Sequence, residues 1–135
     1  MRKGYNMRQI TKDIEITDDG TRQGFRLFKL DAFSGVMLLR LLMRLEGNAT
    51  MLDLIASLSE AELRAVMTAV LNHVSVLLPA GPHPVMTGSE WGYPELEHDT
   101  PSCMKLLLEG IAWSLQGFFG GGQSMAEAAR PDTSP

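Results

Sequence analysis

His83, His98 and Cys103, with Glu97 and Asp99 flanking His98, are the side chains of this 135-residue sequence best suited to chemistry. Imidazole, thiolate and carboxylate together make a zinc donor set, and a histidine near a cysteine can also activate a thiolate nucleophile. Their spacing argues against both. Fourteen residues separate His83 from His98 and four separate His98 from Cys103, which matches no common metal-ligand pattern. Cys103 also falls at the start of an apolar helix, where a cysteine is usually buried and inert. His73 reads as a partly exposed helix residue rather than a ligand. There is no GxxxxGKS loop, no GxGxxG, no HExxH and no GxSxG, and Gly120-Gly121-Gly122 follows a helix whereas a phosphate cradle precedes one. The expectation is a chain without catalytic residues, metal or cofactor.

The elements that would have to position any site read as one α+β domain over residues 1–122. Ile10, Ile14 and Ile16 alternate with polar residues, the period of a strand with one buried face. Asp18-Asp19-Gly20 supplies a turn, and Gly24 to Leu30 return, so residues 8–30 form a hairpin. Leu27 and Phe28 are adjacent, which calls for a bulge or for burial of part of both faces. A helix follows from Ala32 to Glu46, capped by Asp31 or Ser34 and ended by Gly47-Asn48. Between Val36 and Leu45 only Arg40 and Arg44 interrupt large apolar side chains. Thr50 to Leu58 reads as a short helix. Ser59-Glu60-Ala61-Glu62 is a capping box opening a stripe from Leu63 to Leu78, stopped by Pro79, so that residues 32–78 are helical. Residues 79–100, rich in Pro, Gly and acid, read as a long loop in which Trp91 and Tyr93 either dock a partner or fold back as anchors. Thr100-Pro101 starts the last helix, 101–119, with two apolar faces, and 123–135 has the composition of a disordered tail. The fold expected is an N-terminal β-hairpin packed on three to four α-helices.

Charge and hydrophobicity narrow the function. Net charge is −4, so phosphate attraction is not a general driving force and no nucleic-acid partner is expected. The longest apolar stretch, Val36 to Leu45, is about half of the ~20 residues that span a bilayer, so no membrane role is expected. Seven basic and four acidic side chains lie in residues 1–30, against five and twelve in the rest. Such unevenness fits either two differently solvated elements or a polarised surface that steers a partner. Two helices carry more apolar surface than a small chain hides easily, while convergent polar groups are few. That combination favours an interaction protein.

The order of elements has a parallel. A hairpin ending Phe28-Lys29-Leu30-Asp31-Ala32-Phe33 runs into the arginine-striped helix Val36-Met37-Leu38-Leu39-Arg40-Leu41-Leu42-Met43-Arg44-Leu45. A second long helix and an acidic loop follow, and the helix opening Thr100-Pro101-Ser102-Cys103-Met104-Lys105 closes on Gly117-Phe118-Phe119. Over about residues 8–120 this resembles the small tail assembly chaperones of tailed bacteriophages. The resemblance implies a non-enzymatic protein of the host cell cytoplasm. Its partner would be the long helical tape-measure protein, kept soluble until tail-tube protein polymerises around it. A helical client needs an adaptable apolar groove, for which the candidates are Leu106, Leu107, Trp113, Phe118 and Phe119, with Met37 and Leu41 beside them. Self-association into a homo-oligomer is expected as a way of covering such faces. The alternative is a permanent subunit of a phage tail or head–tail connector.

Overall fold

A computed structural model of the chain describes residues 10–45 and 50–116. The first two strands, β1 (Thr11–Asp18) and β2 (Thr21–Phe28), pair antiparallel in unbroken register from Thr11 opposite Phe28 to Asp18 opposite Thr21. Asp19 and Gly20 turn the chain with positive φ, 53° and 80°, the conformation that matches strand twist in a two-residue hairpin. No bulge interrupts the pair; instead Leu27 is buried on one face and Phe28 half-buried on the other. The inner face carries Ile16, Phe25 and Leu27, all buried. The outer face is polar, with Arg26 in a two-pronged bond to Asp13 at 2.8 and 3.1 Å and Arg22 3.7 Å from Glu15. These pairs set a carboxylate beside Arg22 and beside Arg26.

Three helices follow: α1 (Ala32–Leu42), α2 (Met51–Ser57) and α3 (Glu60–Leu71). The caps are those the residue types dictate. Asp31 accepts from the Ser34 backbone, while Thr50/Asp53 and Ser59/Glu62 form reciprocal capping boxes. Helix α1 stops short of Glu46, because beyond Leu42 the bonds tighten to three-residue spacing, Arg44 N–H to Leu41 and Leu45 N–H to Leu42. The proposed terminator Gly47-Asn48 lies outside the described residues.

Beyond α3 the expected organisation is corrected. The chain leaves the helix at Asn72, and Val74–Leu78 is a strand, β3, paired to β2 through Phe25–Val76 and Leu27–Val74. Positions 74 and 78 lie four apart, a spacing shared by one helical turn and by one strand face; pairing to β2, with Val76 opposite Phe25, decides for the strand. The supposed loop 79–100 is also largely regular. Gly81–Pro84 forms β4 on the sheet edge, Met86–Thr87 and Glu90–Trp91 form the small hairpin β5–β6, and Pro94–Glu97 is a helical turn, α4. Pro82 and Pro84 fit β4 because an edge strand leaves one row of N–H positions unused. The sheet order is therefore β1-β2-β3-β4, all antiparallel, in place of an isolated hairpin.

Helix α5 (Thr100–Gln116) crosses the inner face. Its cap is Asp99, whose carboxylate accepts from the Ser102 N–H at 3.1 Å. Cys103, Leu106 and Trp113 join the sheet's core cluster, while Leu107, Ile111 and Leu115 join a second cluster with Leu38, Leu42, Leu54, Val66 and Val70. Lys29 fixes this crossing from the side, its ammonium 4.5 Å from the centre of the Trp113 ring and 3.1 Å from the Trp113 carbonyl. The two apolar faces of α5 are thus each spent on a core, and the fold is α+β.

Candidate interaction surface

The chemistry-bearing residues are not brought together. His83 and His98 are exposed while Cys103 is buried, and among the described residues no group of three or more His, Cys, Asp or Glu is placed to hold a metal ion. Burial, reinforced by nearby Asp99, pushes the Cys103 thiol up, away from the thiolate a nucleophile needs. His73 stands at the C-terminal end of α3, its Nδ1 2.7 Å from the Ala69 carbonyl and its Nε2 3.5 Å from Asp31. Trp91 and Tyr93 fold back as anchors: both pack on the sheet cluster, Tyr93 edge-on to Phe25 at 6.2 Å.

Five of the seven expected contact residues are buried or lie outside the described residues. Leu106 and Leu107 are fully buried, so they cannot meet a partner without opening the core. Trp113 is buried beneath Lys29. Phe118 and Phe119 lie outside the described residues. Met37 and Leu41 are half-buried and border a depression between α1 and α3.

Among the described residues, three of the five large exposed apolar side chains are on α1, the others being Ile10 before β1 and Leu52 on α2. Leu38 and Leu42 turn inward, which forces the residues half a turn away outward. Phe33 is 91% exposed, Val36 55% and Met43 80%, with exposed Arg40 between them. Positions 33, 36, 40 and 43 repeat at three- and four-residue intervals and form one stripe along α1. A signal for it was present in the sequence: a helix apolar nearly all round needs cover on every side, and here the chain supplies cover on one side only. Helix α3 provides the other wall of the depression, with Ala65, Thr68 and Ala69 as a low floor. Phe33, Met37, Arg64 and that floor form a shallow, widely open surface that continues past Met37 to Arg40, Leu41 and Arg44.

Arginines rim this groove. Arg44 donates to Glu62 at 2.9 Å, and the same Glu62 oxygen accepts the Ser59 N–H at 3.0 Å. The hydrogen bond from Arg44, then that from Ser59, holds the Glu62 carboxyl below its usual range. Arg64 lies 3.8 Å from Glu60 with both side chains in solvent, a contact worth little. Arg40 has no ion pair or hydrogen bond among the described residues. No helix among the described residues is long and apolar enough to cross a membrane. Comparison with protein-family models, curated proteins and solved structures gives no match.

Proposed function

We propose that this chain is a non-enzymatic chaperone of phage tail assembly, working in the host cell cytoplasm, whose client is the tape-measure protein. On this reading the α1 stripe covers apolar positions of the client helix and releases them when tail-tube protein polymerises around it. The observation that carries the proposal is the exposed stripe Phe33, Val36 and Met43, left over after two closed core clusters. Contiguous exposed apolar surface of this kind marks interaction sites, and methionine suits a surface that must adapt to successive client segments. The likeness of the hairpin running into the arginine-striped helix, and of the last helix, to the tail assembly chaperones suggests the client.

Co-expression tests it. Tape-measure protein that is insoluble alone should become soluble with this chain, and the soluble fraction should fall when Phe33→Asp and Val36→Asp are introduced together. Unchanged client solubility with the wild-type chain would overturn the proposal.

A further inference from the structure

We infer that the groove between α1 and α3 takes a single amphipathic helix whose apolar stripe is flanked by acidic side chains. This rests on reading the α1 stripe as an interaction surface, and it adds the chemistry of the occupant. From residue 31 onward the sequence holds only Arg40, Arg44, Arg64, Lys105 and Arg130 as basic residues, and the first three border this one groove. Of these, Arg40 has no acidic partner among the described residues, and Arg64 has only a long, solvated one. With Glu62 bonded to Arg44 and Glu60 only loosely beside Arg64, three arginines against two glutamates leave the rim net positive, chiefly through Arg40.

Shape points to a helix. Ala65 and Ala69 on α3, four residues apart, are low enough for a backbone to approach, and Phe33 and Met37 stand as the opposing wall. Helices packed over such small residues reach the short end of the ~8–10 Å interaxial range. Side chains of the incoming helix at three- and four-residue spacing would meet Phe33, Met37 and Leu41 in turn, with glutamates or aspartates beside the stripe reaching Arg40 and Arg64. A second copy of this chain fits less well, because pairing the face with itself sets six arginines against four glutamates and leaves positive charge unmatched.

Two synthetic helices test the assignment, each of about 20 residues, roughly 30 Å long. They share one leucine stripe and differ only in carrying glutamate or lysine beside it. Binding to the full chain is read by fluorescence anisotropy of a dye on the peptide. The glutamate helix should bind on the order of tenfold more tightly than the lysine helix, and 0.5 M salt should narrow that gap as screening shortens to a few ångströms. Arg40→Glu should reverse or abolish the preference, and Phe33→Asp should weaken both helices. Both positions are solvent-exposed, and circular dichroism matching wild type verifies that each variant is folded. Equal binding of the two helices, lost in Phe33→Asp, would overturn the acidic partner while leaving the apolar contact of the proposed function intact. Binding of neither helix, or binding indifferent to Phe33→Asp, would overturn the groove as a docking site. Concentration-dependent self-association that Phe33→Asp abolishes would make a second copy the occupant and overturn the proposal. Uptake onto phosphatidylglycerol vesicles, with no affinity for the glutamate helix, would overturn it in favour of a lipid surface.

Discussion

Two glycines show how little room the packing leaves at single residues. A β-carbon on Gly92 would overlap the Pro84 carbonyl oxygen, and the Gly92 N–H is bonded to Val85 at 2.8 Å, so the chain here lies flush against β4. That contact holds the segment carrying Trp91 and Tyr93 on the sheet. Gly92→Ala must push backbone against backbone and should cost about 1–3 kcal/mol, the range of overpacked cores. A urea titration followed by tryptophan fluorescence measures it; an unchanged midpoint would show that the segment moves aside freely. Gly110 does the same between helices, where an added β-carbon would stand 2.8 Å from the Val70 methyl. Neither requirement is legible in the sequence, since Gly92 looks like any loop glycine until its neighbour across space is known.

Helix starts were the most legible features, because capping is decided by residues three apart in sequence. Ser59 with Glu62 announces the start of α3 without any tertiary information. The end of that helix was not legible: the apolar spacing ran on through Leu78, and only pairing to β2 selects the strand. The caps also carry a pH dependence. Hydrogen bonds from the Ser34 hydroxyl and backbone, then the field of His73, hold the Asp31 carboxyl below its usual range. A carboxyl lowered in the folded state stabilises the fold above its unfolded pKa, about 3.9 for Asp, and that stabilisation is lost as pH falls through the folded value. Asp13, lowered chiefly by its hydrogen bond from Arg26, and Glu62 act in the same sense. Stability should therefore decline below about pH 4. Asp31→Asn keeps a capping oxygen and should leave stability near neutral pH within about 0.5 kcal/mol, while making the acid decline shallower. Thermal melts at pH 7 and pH 3 compare the two proteins, and an identical acid decline would remove Asp31 from the account.

At the scale of the molecule, α5 joins two cores that would otherwise be separate. Its one face closes the sheet cluster through Leu106 and Trp113, the other closes the helical cluster through Leu107 and Ile111. Leu107→Ala removes a fully buried side chain and should cost about 2–5 kcal/mol. Val36→Ser, on the exposed stripe, should change stability by no more than about 0.5 kcal/mol. Chemical denaturation of both variants tests the division: a large loss for Val36→Ser would mean that the α1 stripe is core. The same division explains why apolar excess alone misplaced the contact surface. Both α1 and α5 looked over-supplied, but only α5 lies between the sheet and the other helices, with residues in both clusters.

Composition, capping residues and short-range periodicity were enough to establish an α+β chain, the first hairpin and its turn, and the starts of α1, α2, α3 and α5, all of which depend on neighbours within a few positions. The four-stranded order, the strand nature of 74–78 and 81–84, and the burial of Leu106, Leu107 and Trp113 depend on which segments meet across space. Hydrophobicity records that a side chain must leave water, but not which other surface receives it. That choice, made by α5 lying between sheet and helices, leaves Phe33, Val36 and Met43 facing outward on α1.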